Sequence, residues 1–228
     1  MDETRRRILD AAAGLLAQGG ADALSTRAIG AAAKVQAPTI YRLFGDKRGL
    51  LDALAVYGLT AYLERKSARR PHDDPVADLR AGWDEHVTFG LENPALYLLM
   101  YGDPRPGTPP PPAALEGLRI LAGRIARIAR AGRLRVSEEH AADLVHAAGR
   151  GTTLTLIEQP GSRDLALSDL AREAVIAAIT TGERPPAEPG VVTAAVALRA
   201  ALSETNALTS SEQALLRDWL DRITSRSG

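Results

Sequence analysis

The sequence predicts an all-α protein. Alanine, leucine and arginine are abundant while aromatic residues make up only 4 %, a balance that favours helix over sheet. Apolar residues recur at helical spacing in one run after another, and prolines, glycines and capping residues separate those runs. With 228 residues, 45 % of them hydrophobic, the chain is long enough for one sizeable core or for a small domain beside a larger one.

The first helix is predicted over Thr4 to Gln18. Ile8, Ala11, Ala12, Leu15 and Leu16 form its apolar stripe, and Gly19-Gly20 stops it. Arg5, Arg6 and Arg7 sit at its start, where the helix dipole disfavours cations. They read either as a solvated basic end or as phosphate contacts.

The stretch Ser25 to Leu54 organises the rest of the chain. Ser25 is placed to cap a short helix, and Ile29, Ala32 and Ala33 share one of its faces. Lys34-Val35-Gln36 has the length of a helix-turn-helix connection. Pro38 fits only the first turn of the next helix. In that helix Ile40 and Phe44 can pack inward, leaving Thr39, Tyr41 and Arg42 near the outer side. A short helix that exposes a hydroxyl, a phenol and a guanidinium suits a major groove. Asp46 caps a long fourth helix, Lys47 to Lys66.

This stretch resembles the DNA-binding domain of TetR-type (tetracycline repressor-like) bacterial transcriptional regulators. The resemblance rests on Ser25, Ile29, Val35, Pro38-Thr39-Ile40-Tyr41, Phe44, Lys47 and Leu50-Leu51. Two positions depart from the family: Lys34 stands where glycine is usual in the turn, and Gln36 where serine is common. The resemblance implies a helix-turn-helix domain over residues 1–46 and a helical effector-binding and dimerisation domain over 47–228. Residues 47–66 connect the two, and residues 190–228 form extra C-terminal helices. It further implies a cytoplasmic homodimer that represses transcription at a pseudo-palindromic operator and is released by a small molecule. An activator, a helical enzyme and a scaffold are the alternatives. DNA contacts are implied at Ser25, Thr26, Arg27, Gln36, Ala37, Pro38, Thr39, Tyr41, Arg42 and Lys47. Of these, Tyr41 and Lys47 suit phosphate oxygens, while Ala37, Pro38 and Arg42 are candidates to face bases. The effector cavity is expected at Tyr57, Trp83, His86, Phe89, Tyr97, Tyr101, His146, Arg150 and Thr153.

Further along, Ser67 to Pro75 reads as a polar loop, Val76 to Glu92 as a helix and Pro94 to Tyr101 as a short one. Gly102 to Pro112 reads as a stiff connector. A helix follows from Ala113 to Ala131, with Leu118, Leu121, Ile125 and Ile128 on its apolar side and Arg119, Arg124, Arg127 and Arg130 on solvated faces. Ser137 caps a helix that runs to Glu158. Ser168 is expected to cap another, Asp169 to Thr181; small residues on both favour close packing. The resemblance assigns these two to a dimer's four-helix bundle. After a linker from Glu183 to Gly190, helices are expected over Val191 to Leu202 and Ser210 to Arg226. Leu215, Leu216, Trp219, Leu220 and Ile223 stripe the last one.

Net charge is zero, but residues 1–66 carry 10 Lys and Arg against 7 Asp and Glu, which leaves 18 against 21 for the rest. A basic N-terminal part fits nucleic-acid contact by that part alone. The chain has no cysteine, which excludes disulfides and thiolate chemistry. No P-loop, Gly-x-Ser-x-Gly elbow, dinucleotide fingerprint or His-Glu-x-x-His motif is present. Neither catalysis nor a metal or other cofactor is expected; His72-Asp73-Asp74 lacks the spacing of a metal site.

Overall fold

The computed structural model describes residues 2–66, 72–101, 110, 112–161, 164–181, 190–205 and 207–225. Their regular structure is helical, with no strand among the described residues. In order, the helices are α1 (Glu3–Gly19), α2 (Thr26–Ala33), α3 (Ala37–Phe44), α4 (Lys47–Lys66), α5 (Pro75–Glu92), α6 (Pro94–Tyr101), α7 (Pro112–Arg130), α8 (Glu138–Glu158), α9 (Ala166–Ile179), α10 (Val191–Ala201) and α11 (Ser210–Ser225). Pro75, Pro94 and Pro112 each open a helix, where the missing N–H costs nothing. Residues 67–71 of the expected loop Ser67 to Pro75, most of the connector at 102–112 and most of the linker at 183–190 lie outside the described residues.

The chain divides into two compact units, Met1–Arg70 with Thr88–Gly117, and Pro71–Val87 with Leu118–Gly228. In the first unit α1 packs on α2, α4 and α6, and α3 packs on α2 and α4. Its core holds Ile8, Leu9, Ala12 and Leu16 of α1, Ile29 and Ala33 of α2, Ile40 and Phe44 of α3, and Leu50 and Leu54 of α4. Burying each of the larger side chains contributes about 1.5–3 kcal/mol. The buried edge of α1 takes in Leu9, which the expected stripe left out, while Ala11 and Leu15 are half-buried.

The α2–α3 turn is tight. Lys34 adopts φ 53°, ψ 47°, the left-handed conformation that the resemblance assigns to glycine at this place. The Val35 N–H donates to Gly30 O at 2.9 Å and closes the turn. Gln36 precedes α3 without a side-chain cap. Asp46 does cap α4: its Oδ1 accepts from Gly49 N at 2.7 Å. A Cβ at Gly49 would lie 2.1 Å from the carbonyl oxygen of Phe44, so only glycine fits there.

In the second unit α8 and α9 pack side by side. Ile125, Ile128, Leu134, Leu156, Ile176 and Ile179 fill its core. The α9 helix begins at Ala166, three residues earlier than the sequence suggests, and the Asp164 carboxylate accepts from Ala166 N. Ser168 therefore sits inside the first turn instead of capping it, and its hydroxyl accepts from the Trp83 indole N–H at 3.0 Å. Arg124 and Arg127 are not solvated as expected. Arg127 pairs with buried Asp78 at 2.7 Å, and Arg124 pairs with Glu85 at 2.7 Å and Asp78 at 3.7 Å. A buried carboxylate demands such partners.

The C-terminal helices belong to the same unit. Ala195, Leu202 and Leu220 form a small core with Leu208 and Leu216 against it. Arg199 reaches Glu138 at 2.7 Å, Glu139 at 2.9 Å and Asp221 at 2.5 Å, which ties α10 to the start of α8 and to α11. Replacing Lys34 by Gly should relieve the left-handed strain and stabilise the fold by about 1 kcal/mol. Thermal unfolding checks this, with a midpoint raised by about 2–4 °C.

Candidate nucleic-acid interface

Ten residues are candidates for DNA contact, and all are exposed or half-buried. Periodicity explains the pattern on α3. Ile40 and Phe44 turn inward, so Ala37, Pro38, Tyr41 and Arg42 face solvent and Thr39 is half-buried. Tyr41 is 49 % exposed, large for an apolar ring. Arg27 on α2 and Lys47 at the start of α4 are exposed too. The Ser25 hydroxyl is used locally, accepting from Ala28 N at 3.0 Å, while Thr26 is half-buried and Gln36 exposed beside it. A surface pair of Arg42 with Asp46 does not form. The Asp46 carboxylate caps α4, and among the described residues no ion pair engages Arg42.

The basic start of α1 is only partly solvated: Arg5 is half-buried, whereas Arg7 is exposed but bonded. Arg5 donates to Leu43 O at 2.7 Å and lies over the Phe44 ring at 4.3 Å. Arg7 donates to Ala33 O at 3.0 Å. Arg6 is exposed. The signal for Arg5 was in the spacing: it precedes Leu9 by four residues and so continues the buried edge of α1.

The candidate effector residues fall into both units. In the first, Phe89, Tyr97 and Tyr101 are buried in an aromatic stack with Tyr62; Tyr62–Phe89 centroids are 4.8 Å apart and Tyr97–Tyr101 centroids 4.7 Å. Tyr57 donates to Asp10 at 2.6 Å, joining α4 to α1, and that hydrogen bond holds its phenol above the usual pKa. It also lines a cleft of about 610 Å³ between α1 and α4, together with Leu9, Val56, Thr60 and Glu64.

In the second unit, Trp83 and His86 of α5 face Gly149 of α8: a Cβ there would meet Trp83 at 3.6 Å and His86 at 3.7 Å. The Thr153 hydroxyl donates to Gly149 O at 2.8 Å. His86 is half-buried, and the lost solvation, with a smaller contribution from nearby His146, pulls its pKa down to about 4. Burial and then the Arg150 charge lower His146 as well. A cationic and imidazole cluster of this kind can receive hydrogen-bond acceptors or an anion. Among the described residues no group of acidic, His or Cys side chains could hold a metal ion. No described helix is long and apolar enough to cross a membrane.

Residues 8–54 match the family model of bacterial regulatory proteins, tetR family. The resemblance drawn from residues 25–54 therefore holds for the helix-turn-helix domain. None of the curated proteins matches the chain. Solved structures share its fold. The transcriptional regulator FadR of Bacillus subtilis, in complex with stearoyl-CoA, has TM-score 0.61 and 20 % identity over 75 % of this chain and 97 % of that one. A protein of unknown function from Rhodococcus sp. RHA1 has TM-score 0.62 and 25 % identity over 79 % and 97 %. SmeT, the repressor of the Stenotrophomonas maltophilia multidrug efflux pump SmeDEF, has TM-score 0.57 and 22 % identity over 83 % and 98 %.

The His86 geometry makes acid stability a direct readout. Its folded pKa lies below the unfolded value near 6.5, so the unfolded chain binds more protons between those values. His86 contributes no penalty above pH 6.5, and stability falls as pH drops toward about 4, by on the order of 3 kcal/mol. His86→Gln should flatten this part of the denaturation curve, as measured by urea unfolding between pH 7 and pH 4.

Proposed function

We propose that the protein is a ligand-responsive transcriptional regulator, acting as a repressor, that reads a pseudo-palindromic operator as a homodimer. The observation that carries this reading is the outer face of α3, where Tyr41 and Arg42 stand free of the packed core on a helix short enough for a major groove. Arg42 is placed for a bidentate contact to a guanine edge, while Tyr41 and Lys47 suit phosphate oxygens. Arg27 serves either, and Ser25, Thr26, Gln36, Ala37, Pro38 and Thr39 complete the contact surface.

The dimer is assigned to α8 and α9. On α9 the residues Leu167, Leu170, Ala174, Ala177 and Ala178 are exposed at helical spacing, with Leu170 at 72 %. On α8 Leu144, Ala147 and Gly151 repeat the pattern. An apolar stripe of small residues in solvent is what a helix-pair interface presents before it is covered. Two-fold pairing would give each copy one half-site.

A small molecule in the helical body is the proposed release signal, received by the cluster of Trp83, His86, His146, Arg150 and Thr153. Tyr57, Phe89, Tyr97 and Tyr101 remain candidates for a ligand entering the first unit. A solved relative holding stearoyl-CoA and another described as a repressor support the two halves of this reading. The ligand acts through unequal affinity for the DNA-bound and free states.

Two experiments test the proposal. Light scattering at micromolar concentration should give a dimer for the wild type and a monomer for Leu170→Glu, which sets a charge in the apolar stripe; a monomeric wild type contradicts the assembly. Binding to a randomised duplex library at several salt concentrations separates the contacts on α3 and α4. Lys47→Ala should weaken all sequences alike and shallow the salt slope by about one phosphate. Arg42→Ala should relax preference at one base pair per half-site, a discrimination of roughly 1–3 kcal/mol.

A further inference from the structure

The two arginines at the start of α1 hold the ends of the two helices that face the proposed operator. Two residues apart on a helix, Arg5 and Arg7 point to different sides. Arg5 reaches the C-terminal end of α3, donating Nη1–H to Leu43 O at 2.7 Å while its guanidinium covers the Phe44 ring. Arg7 reaches the C-terminal end of α2, donating Nε–H to Ala33 O at 3.0 Å. The last carbonyls of any helix lack intrahelical partners and carry the negative end of its dipole. A guanidinium placed there satisfies a carbonyl and complements the dipole together. The α3 helix has only eight residues and two buried side chains, so its direction is set by few contacts. Beyond it Gly45 turns the chain at φ 80°, which ends the helix at Phe44.

We propose that Arg5 and Arg7 are positioning residues for operator reading: they pin the ends of α3 and α2 to α1 and so fix where Tyr41 and Arg42 point. Each gives one N–H to a helix-end carbonyl, and Arg5 also covers the Phe44 ring, contacts that a phosphate-binding role alone would not require. Arg6, exposed between them, serves as the control. The inference rests on the operator-reading function proposed above, yet the pinning itself can be measured without DNA.

The charge-conserving change to lysine separates the roles. A phosphate contact tolerates an ammonium, whereas a planar fork that stacks on a ring and bonds a carbonyl has no lysine equivalent. Full-length Arg5→Lys, Arg7→Lys and Arg6→Lys are compared with wild type by hydrogen exchange. Arg5→Lys should speed exchange of the α3 amides by about fivefold or more while residues 8–16 of α1 stay unchanged. Arg7→Lys should do the same to α2, and Arg6→Lys to neither. On DNA, Arg5→Lys should lose roughly tenfold affinity for a duplex selected by the wild type. It should keep its affinity for an unrelated duplex of equal length, and its salt slope. Wild-type exchange in both α3 of Arg5→Lys and α2 of Arg7→Lys overturns the inference. So does an equal loss on both duplexes, and so does global unfolding of both variants, which makes the contacts a matter of overall stability. If only one variant unfolds, the other decides. If the wild type selects no duplex at all, operator reading fails, and the exchange data alone decide whether the arginines pin the helices.

Discussion

Burial of Ile40 and Phe44 is the constraint on which the proposed reading surface depends. An isolated eight-residue helix is marginal in water, because nucleation costs more than so few hydrogen bonds return. The α3 helix therefore exists only as part of its domain. Ile40 and Phe44 sink into the core made by α1, α2 and α4, and their burial fixes which side of the helix is left outside. The turn before it adds direction: Lys34 accepts a left-handed backbone and Val35 N–H closes onto Gly30 O. The turn after it adds the next helix, whose start is tight enough that Gly49 lies against the Phe44 carbonyl. Each element gives up conformational freedom, or accepts local strain, to hold a short helix in one orientation.

The second unit is organised by charge as much as by apolar packing. Asp78 is buried and gathers Arg124 and Arg127, and its other carboxylate oxygen accepts from His72 N at 3.1 Å. Arg80 pairs with Glu173 at 3.0 Å, holding that carboxylate below its ordinary pKa. Arg199 draws three acids from two other helices. Pairs of this kind return little net stability, yet breaking one leaves a charge without its partner, so they favour one packing over its competitors. That unit also leaves Leu215, Trp219 and Ile223 of α11 in solvent beside the buried Leu220.

Much of this architecture is legible in the sequence. The spacing of Ile29, Ala33, Ile40 and Phe44, with Pro38 and Ser25 as punctuation, marks the two short helices and their exposed faces. Prolines place the starts of α5, α6 and α7 to within a residue. What periodicity cannot reach is pairing over long separations. Arg124 looks solvated until Asp78 and Glu85 come beside it from a helix about forty residues away. Ser168 resembles a helix cap, because serine at a helix start usually is one, and nothing local announces the Trp83 indole as its partner. Arg5 looks like a basic surface residue because its charge conceals its place on the buried edge of α1.

Sequence-specific reading of DNA by two copies of α3 is the central claim, and selection from a random duplex pool by the wild-type chain tests it most directly. Enrichment should yield two inverted copies of one short half-site, their centres about one helical turn of DNA apart or a multiple of it. A pool that stays random after repeated selection, or a single unpaired motif, would contradict it.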